Sequence, residues 1–119
     1  MQITLLFTKL RAAWLYRRGM VSARLSKNAQ AISDYTTVIE MVNAPANLRA
    51  MSLYNRALVY FATSCEVKAI EDLQKVLSMP GASELVRTEA HRKLVRKQRG
   101  AERGDLSKPL GTSNPREGI

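Results

Sequence analysis

Two residues of types used in covalent or proton-transfer chemistry occur once each in this sequence, one cysteine and one histidine. Cys65 follows Ser64, and His91 lies inside a basic run. A thiol at a helix N-terminus gains acidity from the oriented backbone and can act as a nucleophile. An imidazole titrates near neutrality and can pass protons. Both need partners, and the spacing implies no nucleophile or carboxylate for His91. One Cys and one His cannot form a metal-ligand cluster, and a lone Cys cannot form an internal disulfide. Glycine-rich phosphate loops and paired catalytic acids are absent as well. His91 therefore reads as a helix-face histidine and Cys65 as a partly buried thiol. The expectation is a protein that is not an enzyme and carries no cofactor and no metal.

The remaining chemistry is recognition. Tyr16/Met20 and Tyr54/Leu58 are i,i+4 pairs, each on one helix stripe. Tyrosine is rigid and amphipathic, which suits a binding surface. The plain alternative is that the stripe is core, because an apolar stripe is usually buried. Arg87, Arg92, Lys93, Arg96, Lys97, Arg99 and Arg103 form a cationic run that could meet phosphates or an acidic partner. A solvated helix end explains the run equally well, and no aromatic residues interleave it to stack bases.

These residues need elements to hold them, and the elements come from an internal duplication. Residues 31–41 (AISDYTTVIEM) align without gaps on 69–79 (AIEDLQKVLSM), 38 positions later, with five of eleven pairs identical. The same offset places Tyr16-Arg17-Arg18-Gly19-Met20-Val21 on Tyr54-Asn55-Arg56-Ala57-Leu58-Val59. Each unit reads as two helices. Leu15, Met20, Val21 and Leu25 mark a first helix, and Ser26-Lys27-Asn28 supplies capping side chains for a second over about 29–42. The next pair spans about 47–63 and, with Ser64 as N-cap, a helix to about Met79, closed by Pro80-Gly81. A fifth helix is expected from Ser83 to about Arg99. A shift of 36, pairing Arg56-Ala57-Leu58-Val59 with Arg92-Lys93-Leu94-Val95, is preferred for its body over the shift of 38 that pairs Arg49 with Arg87. From Gly100, glycines and prolines punctuate a polar stretch expected to be a disordered tail.

The pattern resembles the tetratricopeptide repeat. That family places a small residue late in its first helix, and an alanine followed by a large apolar residue early in its second. Gly19, Ala31-Ile32, Tyr35 and Val38 match it, as do Ala57, Ala69-Ile70, Leu73 and Val76. Small residues allow the antiparallel helices to approach, with Gly19 or Ala57 expected to face Ala31 or Ala69. The departures are a period of 38 where the family typically has 34, Leu15 and Leu53 in the tryptophan slot, and displaced prolines.

The resemblance implies an all-α fold of antiparallel helix pairs stacked as a short right-handed solenoid. Its parts would be repeat 1 over about 10–43, repeat 2 over about 47–80, a capping helix over about 83–99, and the tail over 100–119. It further implies a concave face that binds a peptide or partner helix, presenting Ala13, Tyr16, Met20 and Arg24, then Met51, Tyr54, Leu58 and Phe61. Asn55 alone matches the slots with which some members grip a C-terminal carboxylate, so that clamp is not supported.

Composition bounds these readings. The apolar share of 45% suits a globular chain, and the net charge of +9 is concentrated at the ends. Residues 1–25 carry +5 with no acid, residues 26–86 carry −1, and residues 87–119 carry +5. Acidic partners follow, with a protein or peptide favoured over nucleic acid. No run approaches the ~18 apolar residues that span a bilayer, and the start lacks a signal-peptide pattern. A soluble cytoplasmic adaptor with no membrane role is the expectation. The alternative is a basic nucleic-acid-associated accessory protein. Repeat arrays generally need about three units, so a homodimer or a fragment of a longer array also fits.

Overall fold

The computed structural model describes residues 2–107, with side chains described for residues 3–101. It holds five helices: α1 (Gln2–Arg24), α2 (Asn28–Glu40), α3 (Ala46–Ala62), α4 (Glu66–Ser78) and α5 (Glu84–Ser107). No strand occurs among the described residues. Each helix packs on the next, and α1–α3 and α3–α5 also touch. The architecture is a short stack of helix pairs, as the duplication requires. α5 continues through Gly100 to Ser107, so Gly100 does not end it. The expected tail beyond residue 107 lies outside the described residues.

Alanines occupy the tightest crossings. Ala12, Ala31, Ala50, Ala57, Ala69 and Ala90 are fully buried, and Tyr35, Leu73, Val38 and Val76 fill the space between them. The two helix pairs solve one packing problem with different sizes. In the first, Gly19 leaves room for the Tyr35 ring, and a Cβ at Gly19 would lie 2.8 Å from Tyr35 Cε1. Tyr35, rather than Ala31, is what Gly19 accommodates. In the second pair Ala57 stands at the Gly19 position and Leu73 at the Tyr35 position, and both are buried.

The most specific contacts are two ion pairs at equivalent positions. Arg18 Nε and Nη2 donate to Asp34 at 2.8 and 2.7 Å. Arg56 Nε and Nη2 donate to Asp72 at 2.8 and 2.8 Å. Both carboxylates are buried. A buried carboxylate is tolerated only when paired and hydrogen-bonded, and the guanidinium fork provides both. Gln30 Nε2 adds a third donor to Asp34 at 2.9 Å. The Arg18 hydrogen bonds hold the Asp34 carboxyl below its ordinary range, against the upward pull of burial.

Turn geometry repeats as well. Ser26 and Ser64 close α1 and α3 with φ of 59° and 65°. Beyond them Lys27 N–H donates to the Ser22 carbonyl and Cys65 N–H to the Tyr60 carbonyl. The serines therefore form left-handed turns and do not cap the following helices. The N-cap positions belong to Lys27 and Cys65, without a side-chain cap bond. Ser83 does cap α5, accepting from Val86 N–H at 3.3 Å.

The junctions between repeats fix the third register. Arg49 Nε donates to the Ile39 carbonyl at the end of α2 at 2.9 Å. Arg87 Nη2 donates to the Met79 and Pro80 carbonyls after α4 at 2.7 and 3.1 Å. Ala44 and Ala82 are both buried in the preceding turns. Ala46 and Glu84, which begin α3 and α5, stand at the same offset as these pairs. The offset of 38 therefore extends into α5, and the preferred shift of 36 is corrected. The chain spacing at the junction, set by the arginine on the helix end, overrides the apparent match along the helix body.

This packing can be tested at Gly19 and at Asp34. Gly19→Ala gains about 1 kcal/mol of helix propensity but loses about 1–3 kcal/mol to overpacking against Tyr35, a net loss of up to about 2 kcal/mol. Combining it with Tyr35→Leu recreates the Ala57/Leu73 pair, so a double-mutant cycle read by urea unfolding should show favourable coupling of about 1 kcal/mol or more. Additive losses would refute this size-matching account. Because Asp34 is depressed in the folded state, its contribution is complete above the unfolded value of about 3.9 and is lost as pH falls through the lower folded value. The thermal midpoint should drop across that acid range in the wild type, and Asp34→Asn should lower the neutral midpoint while flattening the acid limb.

Candidate functional site

The tyrosine stripe lies where α1, α3 and the start of α5 meet. α1 and α3 are the first helices of their pairs, so equivalent residues stand side by side, and Tyr16 meets the neighbour of Tyr54. Asn55 Nδ2 donates to the Tyr16 hydroxyl at 2.7 Å. The Tyr16 ring sits 6.0 Å from that of Tyr35 at an interplanar angle of 51°. Burial pushes the Tyr16 phenol up, and the Asn55 hydrogen bond opposes this.

Tyr16, Met51, Tyr54 and Asn55 line one hollow of about 220 Å³ together with Leu85, Val86 and Glu89 of α5. Burial also raises the Tyr54 phenol, followed by the charge of Glu89, with Arg96 acting against both. A second hollow of about 230 Å³ is lined by Asn55 and Leu58 with Ala23, Asn28, Tyr35, Val59 and Ala62. Asn55 is common to both. The Asn55 amide oxygen has no hydrogen-bond partner among the described residues, so it is available to an incoming N–H.

The other stripe residues behave differently. Met20 is half-buried against the cluster of Ala31, Tyr35 and Val59. Phe61 packs on the core formed by α3, α4 and α5, beneath Lys97 Nζ at 4.5 Å from its ring centre. Arg24 is exposed at the end of α1, and Ala13 is half-buried. The stripe therefore combines groove wall with core support, and Tyr54 itself leans on the core.

The basic patch divides on α5. Arg92 and Arg96 line a shallow groove of about 400 Å³ with His91, Val95 and Arg99. Arg92 also pairs with Glu89 at 2.9 Å in an exposed bridge, of a kind that contributes little stability. Lys93 is half-buried, and Lys97 covers Phe61. Cys65 sits in the turn before α4, with its Sγ 3.8 Å from the Thr63 carbonyl. Among the described residues, no group of three or more His, Cys, Asp or Glu side chains is placed to hold a metal ion. No described helix is long and apolar enough to cross a membrane.

Sequence reasoning overlooked the two Arg–Asp pairs. Their signal was present, since Arg18/Arg56 and Asp34/Asp72 are retained at the repeat offset, with the same separation inside each unit. Comparison with known proteins finds no matching family model, no matching curated protein and no matching solved structure.

Because Asn55 donates to the Tyr16 oxygen, it favours the phenolate. Asn55→Ala should raise the Tyr16 titration midpoint and cost about 1 kcal/mol of stability. Site-specific labelling of the tyrosine ring, followed by NMR through alkaline pH, reads the first effect. An unchanged or lowered midpoint would show that this hydrogen bond does not form in solution.

Proposed function

We propose that this chain is a small non-enzymatic adaptor, a helical repeat of the tetratricopeptide type, that holds a segment of a partner protein against α3. The observation carrying the reading is the pair of hollows that share Asn55. Apolar walls from Tyr16, Met51, Tyr54 and Leu58 surround the one amide common to both hollows, that of Asn55, whose oxygen is unengaged among the described residues. Concave, mostly apolar sites with a few convergent polar groups are the usual form of a recognition site. The walls would take apolar side chains, while Asn55 accepts a hydrogen bond from the partner backbone.

The Arg92/Arg96/Arg99 groove favours a second reading, in which anions such as nucleic-acid phosphates bind along α5. It has the charge for this but no aromatic stacking residue in its lining. The adaptor reading is preferred.

Affinity capture from native lysate, with nuclease treatment and quantitative mass spectrometry, tests both. For the adaptor, Met51→Ala and Leu58→Ala should each reduce recovery of a nuclease-resistant protein partner about tenfold, the effect of losing one well-packed anchor. The thermal midpoint should change by only a few degrees. Arg92→Glu with Arg96→Glu should leave recovery unchanged. Loss of all captured material on nuclease treatment or on charge reversal would overturn the adaptor reading in favour of the nucleic-acid one.

A further inference from the structure

The outward face of α1 is a third copy of a surface that is covered in the rest of the fold. Arg11, Arg49 and Arg87 stand at successive steps of the repeat offset. Arg49 donates to the Ile39 carbonyl in the last turn of α2, and Arg87 to the Met79 and Pro80 carbonyls just past the end of α4. Arg11 stands at the same position of α1 with no hydrogen-bond partner among the described residues. A guanidinium there meets the unsatisfied carbonyls and the negative end of a helix dipole.

Two further correspondences point the same way. Arg56 uses Nη1 to reach the Thr36 hydroxyl on the preceding helix at 2.9 Å, in addition to its pair with Asp72. Arg18 makes the equivalent pair, but its Nη1 has no such partner, and its side chain is 45% exposed against 14% for Arg56. The apolar residues agree. Leu48 packs on the cluster holding Val38, and Val59 packs on Ala31 and Tyr35, all against α2. At the equivalent places on α1, Leu10 and Val21 are exposed. Ile3, Phe7 and Trp14 are exposed too, and their helical spacing joins all five into one stripe.

We propose that this face of α1 is a docking junction for the C-terminal half of an α-helix from a partner protein. Arg11 takes the last-turn carbonyls of that helix, Arg18 Nη1 takes a polar side chain one to two turns back, and the Ile3–Val21 stripe takes its apolar face. Charge selects the occupant. Residues 1–25 carry five bases and no acid, so the partner helix carries acids and lacks bases. α2, which covers the same face of α3, brings Glu40 to act on Arg56 and has no Lys or Arg, its other acid, Asp34, being turned to Arg18 of α1. A second copy of this chain fits poorly. Its α2 and α4 ends are already engaged by Arg49 and Arg87, and α1 and α5 are themselves rich in bases. Trp14 stands where α3 has the fully buried Ser52, so the partner presents a small residue opposite it.

This junction is separate from the Asn55 groove, because none of Arg11, Trp14 and Val21 lines either hollow there. Trp14 is the single tryptophan and is 57% exposed, so its emission reports directly on coverage. The test titrates the full chain with a synthetic peptide of residues 28–45. A neutral lactam between Ala29→Lys and Ser33→Glu, both exposed positions on α2, keeps the peptide helical. A saturable blue shift of Trp14 emission is expected. Arg11→Ala should weaken it about tenfold or more, the effect of losing a charged hydrogen-bond donor, as should Leu10→Lys. The same peptide with Asp34→Lys and Glu40→Lys should not bind. An unshifted Trp14 at millimolar peptide, or equal binding by Arg11→Ala with unchanged far-ultraviolet dichroism, overturns the proposal. So does a dimer in sedimentation whose Trp14 is already buried without peptide.

Discussion

Asp34 and Asp72 are almost wholly removed from water, and each sits on the second helix of its pair. A carboxylate in that position destabilises the fold by several kcal/mol unless a cation reaches it with both oxygens satisfied. Arg18 and Arg56 meet that requirement from the facing helix. The bidentate geometry sets the rotation of the two helices about their axes as well as their separation. Once that rotation is set, the small residues at positions 19 and 57 fall opposite the large ones at 35 and 73. The remaining contacts of each pair are consistent with this one constraint.

The same constraint explains why the two pairs can differ in packing without differing in shape. Tyr35 against Gly19 and Leu73 against Ala57 divide one volume differently. Tyrosine carries an added demand, since its phenol is pushed up to about 12 by burial, followed by the charges of Tyr16 and Asp34. The fold favours its neutral form, a contribution that is complete below the ordinary phenol value and lost as pH rises through the folded one. Arg18 is the more exposed of the two arginines because no described helix covers that side of α1, whereas Arg56 is enclosed by α2.

Much of this fold was legible because it is periodic. The offset of 38 placed α2, α3 and α4 within a residue or two of their observed bounds, and Pro80-Gly81 marked the last turn correctly, whereas α1 begins about eight residues before the expected start of the first repeat. Ser26 and Ser64 misled because serine before a helix ordinarily signals a cap, whereas the left-handed backbone at both sites turns the chain one residue earlier. The Arg–Asp pairs escaped notice because ion pairs have no local period, and the partners lie on different helices with a turn between them. The third register was misjudged because Arg92-Lys93-Leu94-Val95 imitates Arg56-Ala57-Leu58-Val59 along the helix, while the decisive contact, Arg87 on α4, lies at its beginning. The groove was half legible. Helix phase brought Tyr16 and Tyr54 to one side, but only the three-dimensional contact of α1 with α3 joins Asn55 to Tyr16.

Among the described residues, contacts between helices run between successive ones and between the first helices of neighbouring pairs, α1 with α3 and α3 with α5. Such a stack behaves as a one-dimensional system, in which stability is a sum of unit terms and nearest-neighbour couplings. An interior element such as α3 has neighbours on both sides, whereas the first turns of α1, from Ile3 to Phe7, have almost none. Local opening should therefore cost least at that end and most around α3. Cooperativity becomes a matter of position along the stack, and anything that settles on the outward face of α1 would lengthen the cooperative unit by adding a neighbour to those α1 already has in α2 and α3.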